Sequence, residues 1–215
     1  MDWSILRARS PDTVTTASVR AALADHRDAE SAAGTSSTNA DGTPESPSTD
    51  AASVADPIAS RPTRVVADAD VLAADALGID AAVRALDSIW AHSWVTLVAS
   101  DALIADTEAV LTTIVDAAFA ADWRVLIDRW REPVGQPAGD HPALASAYRG
   151  GAMHVLSFDG DLTGSATGAA LTNRFPVSVR QPAAFAAVFD PANLYETVEN
   201  GPYLGTDREP RFSDR

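Results

Sequence analysis

Asp68 and Asp70 follow the apolar run Val65-Val66-Ala67 and precede a helix-like pattern that opens at Val71-Leu72. A buried parallel strand that delivers Asp-x-Asp at its carboxyl end suits metal or phosphate chemistry, because ligands of an open parallel sheet gather at that edge. The background is acidic: 23 of 215 residues are Asp, so placement rather than occurrence carries the information. Further acids are placed. Asp106 lies six residues after Ser100, which ends a second strand-like run, Asp140 opens a helix-like stretch, and Asp159 and Asp161 follow a third run, Met153 to Ser157. Carboxylates that converge on one point repel one another unless a cation holds them, and oxygen-only ligation suits Mg2+ or Mn2+ rather than zinc. Each acid also has a plainer role, since helix N-caps and first turns favour Asp.

The elements that must position these groups read as alternating strands and helices. Val65 to Val71, Trp94 to Ala99, Met153 to Ser157 and Pro176 to Val179 have strand character. Helical patterns cover Leu72 to Leu77, Ile79 to His92, Ala102 to about Ala121, Asp122 to Trp130, His141 to Tyr148, Asp161 to Leu171 and Pro182 to Phe189. Alternation of this kind predicts an α/β fold, a three-layer α/β/α arrangement around a parallel sheet of four or five strands. Asp68, Asp70, Asp159 and Asp161 then share one edge, with Asp106 on the following helix facing back toward it. Trp90, Trp94, Trp123 and Trp130 read as core, while His92, His141 and His154 have no ligand spacing and read as surface or strand-packing residues.

Residues 1–27 form a short amino-terminal segment with a helix start at Ser10-Pro11-Asp12 and apolar positions at Val14, Val19, Ala22 and Leu23. Residues 28–60 are Ser, Thr, Ala, Asp, Glu, Gly and Pro with Val54 and Ile58 as the large aliphatics, which predicts a disordered acidic linker. The folded unit is expected over 61–200 and a flexible tail over 201–215.

Sixteen Arg, no Lys and a net charge of −14 look like a protein from an extreme halophile, where molar salt screens self-repulsion over about 3 Å. With no cysteine there is no disulfide, thiolate metal site or cysteine nucleophile. The start lacks an apolar signal segment and no run approaches a membrane span, so a cytoplasmic protein is expected.

The block Asp140-His-Pro-Ala-Leu-Ala-Ser-Ala-Tyr-Arg-Gly-Gly151, followed by Val155-Leu-Ser-Phe-Asp-Gly-Asp-Leu162, resembles the PIN domain family of metal-dependent nucleases. The opening strand with Asp68 and Asp70, and the six-residue step from Ser100 to Asp106, match the same family, over about residues 64 to 192. The chain departs from the family pattern in three places. Asp106 stands where Glu is usual, with Glu108 close by on a different helix face. One extra residue lies between Gly151 and Asp159, and Ser157 replaces Thr. The resemblance implies a halophilic archaeal type of Mg2+- or Mn2+-dependent endoribonuclease. Asp68, Asp106, Asp140 and Asp159 would be catalytic and metal-binding, and Asp70 and Asp161 would lie close to the ion. It further implies products with 5′-phosphate and 3′-hydroxyl ends, toxin-like action on RNA, and an antitoxin or other protein partner, or a second copy of the chain, as partners.

Other chemistries fit less well. Haloacid dehalogenase-like phosphatases share the strand-Asp-x-Asp opening, but they and receiver domains rely on a Lys that this chain lacks. Gly160, Gly164 and Gly168 are not followed by Gly-Lys-Ser/Thr, and no Gly-x-Ser-x-Gly elbow is present. Arg149 and Arg180 are the candidate phosphate contacts. The rival reading is a catalytically inactive PIN-like scaffold that acts through protein–protein interaction, which the acidic surface favours.

Overall fold

In the computed structural model, which describes residues 2–35, 57–136, 140–164, 176–199 and 201–212, the elements follow from the alternation in the sequence. In chain order they are α1 (Trp3–Arg7), α2 (Thr16–Thr35), β1 (Arg61–Ala67), α3 (Ala69–Ala76), α4 (Asp80–Trp90), β2 (Thr96–Ser100), α5 (Asp101–Ile114), α6 (Ala117–Ile127), β3 (Glu132–Val134), α7 (Pro142–Gly150), β4 (Ala152–Leu156), α8 (Gly160–Thr163), β5 (Ser178–Arg180), α9 (Pro182–Val188) and α10 (Pro191–Glu199). The five strands form one parallel sheet in the order β3-β2-β1-β4-β5, an α/β fold with helices covering the sheet.

Side chains stop and start these elements. Val65, Val66 and Ala67 are fully buried in the central strand. Pro62, which has no N–H for a ladder, stands within the register shift between Arg61 and Val65 where β1 meets β4. Asp68 then caps α3, its carboxylate accepting from the Ala69 N–H at 2.8 Å. The first strand therefore ends at Ala67 rather than Val71, and Asp70 sits in the first helical turn instead of at a strand end. The single helix expected over Ala102 to Ala121 is two, because Asp116 takes an extended backbone and caps α6 through the Phe119 N–H at 2.6 Å. Gly151 closes α7 with φ 63°, a left-handed position where a Cβ would lie 2.5 Å from the Ala59 carbonyl oxygen.

Both chain ends depart from the expected boundaries. The helix of α2 runs through Thr35, into the stretch read as linker, while residues 36–56 lie outside the described residues. Val19 and Leu23 from α2 and Trp3 and Leu6 from α1 are buried in the same core as the sheet. A window dominated by Ser, Ala and Asp hides this, because only one face of α2 needs to be apolar once α3 and α5 lie against it. Residues 201–212, expected to trail, also pack. His92 Nε2 meets the Tyr203 hydroxyl at 2.6 Å, Ser93 holds Asp207, and Trp90 Nε1 donates to the Glu209 carbonyl at 2.7 Å. Among the described residues, no helix is long and apolar enough to cross a membrane.

Candidate functional site

In the order β3-β2-β1-β4-β5, connections leave β1 and β4 in opposite directions. The loops after these two strands therefore part and open a crevice at their carboxyl ends, the switch point where open α/β sheets bind ligands. Asp68 and Asp70 follow β1, and Ser157 and Asp159 follow β4. Ser157, fully buried, holds the group together. Its Oγ lies 3.1 Å from Asp68 Oδ2 and 3.4 Å from Asp70 Oδ2, and it accepts from the Asp159 N–H at 3.0 Å. Asp70 Oδ2 also accepts from the Phe158 N–H at 3.0 Å, whereas Asp70 Oδ1 is buried with no hydrogen-bond partner.

Burial, and then the neighbouring Asp68, pushes the Asp70 carboxyl up to about 8 against the opposing Phe158 N–H, so it carries a proton at neutral pH. A raised acid pKa stabilises the folded state below the unfolded value near 3.8, and that contribution is lost as pH rises toward 8. Asp70→Asn should remove this loss. Urea unfolding from about pH 5 to pH 9 should show wild type weakening relative to the variant by an amount on the order of several kcal/mol. Parallel curves for the two proteins would contradict the assignment.

Two arginines from α2 face these acids. The Arg27 guanidinium lies between Asp106 Oδ2, at 2.9 Å from Nε and 2.8 Å from Nη2, and Asp68 Oδ1, at 3.4 Å from Nη2. Burial works against the charge of Arg27, but Asp68 and Asp106 outweigh it and raise its pKa. Arg20 Nη2 lies 3.3 Å from Asp159 Oδ1, which also accepts from the Asp161 N–H at 3.0 Å. A pocket of about 240 Å3 is lined by Arg20, Arg27, Asp68, Asp70 and Asp159.

The six acids singled out in the sequence do not form one cluster. Asp68, Asp70 and Asp159 share the pocket just described. Asp106 and Asp140 line an adjoining groove of about 530 Å3 together with Arg27, Glu30 and His141. Among the described residues, Asp68, Asp70 and Asp159 are not a trio with ligand atoms within 4.8 Å of one another, and neither are Asp68, Asp140 and Asp159. For Asp140 the reason is local: Gln136 bonds the Ser100 hydroxyl at 2.6 Å and donates to the Asp140 backbone carbonyl at 3.1 Å, which ties the start of α7 to the end of β2. Asp161 is exposed in the first turn of α8. Glu108 pairs with Arg124 at 2.9 Å, on another face of α5. Of the arginines considered for phosphate, Arg180 donates to Ser178 Oγ at 2.9 Å and lines an apolar groove with His154 and Phe185, and Arg149 stands beside Tyr148 on α7.

Sequence reasoning missed Arg20, Arg27, His26, Glu30 and Gln136. A signal for the first two exists: they are seven residues apart, flanking Val19 and Leu23, so on a helix both lie beside its apolar stripe. Gln136 has no such signal, because a loop residue declares its partners only in three dimensions.

Fold and edge together define a doubly wound parallel α/β protein with an acidic crevice at its switch point. The chain belongs to a family of unknown function, DUF7384, which matches residues 59–211. The match begins just ahead of β1 and ends at Arg211, with α1 and α2 preceding it. No curated protein and no solved structure matches the chain.

Proposed function

We propose that the protein is a PIN-like Mg2+- or Mn2+-dependent endoribonuclease, toxin-like in its action on RNA, with its cation subsite at Asp68 and Asp70 and with Asp159 lining the same crevice. The observation that carries this reading is Asp70 Oδ1, a buried carboxyl oxygen with no partner, beside Asp68 at the switch point of the sheet, in a group that would give up its proton to a bound cation. Leaving such an atom unsatisfied costs about 1–3 kcal/mol, and a cation in the crevice would satisfy it. The donor set is all oxygen, which fits Mg2+ or Mn2+. A divalent ion there supplies Lewis acidity toward a phosphodiester and water.

The chain's own residues do the rest. The Ser157 hydroxyl fixes how Asp68 and Asp70 point, and the Phe158 N–H holds one Asp70 oxygen while the other stays unpartnered beside the crevice. Asp159, capped onto its own helix turn, stands across from them. Asp106 and Asp140 line the adjoining groove, where they would act on substrate approach rather than as part of the same ligand set. Arg27 must leave Asp68 before an ion can take that oxygen, so cation binding and the position of α2 are linked.

Arg20 and Arg27 also favour the second reading, a non-catalytic scaffold that binds protein, because they already neutralise acids that a metal would otherwise satisfy. Incubation of labelled RNA with the full chain, Mn2+ and molar KCl separates the two. A nuclease cleaves only with the ion, and Asp68→Asn and Asp159→Asn each lower cleavage by at least about 100-fold with unchanged circular dichroism. No metal-dependent cleavage in wild type, with tight capture of a protein partner, would establish the scaffold instead.

A further inference from the structure

We propose that His26, Glu30 and Asp106 form a second, separate metal site, for a first-row transition ion of the Zn2+ or Co2+ class, which ties α2 to α5. His26 and Glu30 are four residues apart and so share a face of α2, and that face meets Asp106 on α5. His26 Nε2 lies 3.8 Å from Glu30 Oε2 and 3.7 Å from Asp106 Oδ1, and the three ligand atoms all lie within 4.8 Å of one another. These separations exceed the roughly 2.7–3.2 Å of a hydrogen bond. Two ligands on one tetrahedral ion, at bond lengths near 2.0–2.2 Å, sit roughly 3.3–3.6 Å apart, so a shift of a few tenths of an ångström seats the ion.

The surroundings suit an exchangeable site. Asp106 is buried and its other oxygen is held by Arg27, the kind of outer-sphere bond that orients a ligating carboxylate. The groove of about 530 Å3 lined by Glu30, Asp106, Asp140 and His141 gives an entry path. His141 lines the same groove and its Nδ1 has no hydrogen-bond partner, though it is not one of the three grouped ligands. Three protein ligands with room for a fourth is the pattern of an open rather than a closed site. An imidazole nitrogen among the donors selects against Mg2+, so this site and the all-oxygen crevice take different ions. An ion here pins α2 down and with it Arg27 over Asp68.

The test is a Co2+ titration of the full chain at about pH 8, where imidazole is neutral, followed by visible absorption and by Zn2+ competition. One equivalent of Co2+ should bind, Zn2+ should displace it, and the His26 ring resonances should shift. His26→Ala should weaken binding by at least about 100-fold and Glu30→Gln by about 10-fold. Both side chains are partly or largely exposed, so the variants fold. His26→Ala should leave Mn2+ in the crevice, and Asp68→Asn, which alters the shared partner Arg27, should change Co2+ affinity by less than His26→Ala does while removing Mn2+ from the crevice, so loss of one site is distinguishable from loss of the other. Absence of stoichiometric binding, wild-type affinity in His26→Ala, or binding that follows Asp68 instead of His26 would each overturn the proposal.

Discussion

Arg211→Met should destabilise the folded chain by about 3–5 kcal/mol, the usual cost of removing one partner from a buried ion pair. Arg211 is fully buried, donates to Asp75 at 2.7 and 2.8 Å and to Asp87 at 2.8 Å, and Asp75 is itself buried. Its guanidinium also lies over the rings of Trp3 and Trp130, 5.2 and 5.1 Å from their centroids, so one side chain joins both chain ends to α3, α4 and the tryptophan cluster. Burial already raises the Asp87 carboxyl, and Arg211 opposes that rise; without the guanidinium Asp87 rises further and Asp75 is left buried with no counter-charge. Urea unfolding at constant KCl measures the loss. Adding Asp75→Asn to Arg211→Met should recover part of it, since the largest penalty is the orphaned carboxylate. A loss below about 1 kcal/mol would mean that the carboxyl-terminal segment is not part of the folded unit.

Arg27→Ala should make stability depend on divalent cations. The guanidinium offsets the charges of Asp68 and Asp106, and hydrogen bonds to charged groups each contribute about 1.5–3 kcal/mol. Its loss leaves two buried acids facing each other next to Asp70. Without metal, the variant should unfold at lower urea than wild type. With Mn2+ at about 100 times its dissociation constant, roughly 2.7 kcal/mol should return. Wild type, whose Arg27 competes for the same oxygen, should gain less, and its Mn2+ affinity should be at least about 10-fold weaker than that of the variant. His26→Ala in the same background keeps the transition-ion site out of the comparison. No Mn2+ response in Arg27→Ala would show that the acids around Arg27 do not take up a divalent ion, and an equal response in the two proteins would show that Arg27 does not compete for it.

What the sequence by itself determined is the alternation of strands and helices, and hence a parallel sheet with the acids of β1 and β4 at one edge. Apolar runs such as Val65 to Ala67 and Val155 to Leu156 must be buried, and parallel strands need helical crossovers, so this much follows from local pattern. Capping residues marked some helix starts too, because Asp68, Ser100 and Asp159 satisfy N–H groups within their own turn, whereas the cap at Asp116 lay hidden inside a continuous helical pattern.

Only tertiary structure decided which acids meet. Asp140 and Asp68 both lie near the carboxyl edge, yet Gln136, a loop residue, draws Asp140 toward β2 and into another groove. Composition marked α2 as barely apolar, but a helix that docks needs a single buried stripe, and Val19 and Leu23 suffice when α3 and α5 receive them. The charges on α2 show the same limit most clearly. Arg27 and Asp68 are 41 residues apart, and His26 and Asp106 are 80, so no spacing rule links them. Their pairing arises because a buried carboxylate without a counter-charge costs several kcal/mol, a demand that exists only after the sheet has formed and its edge is covered.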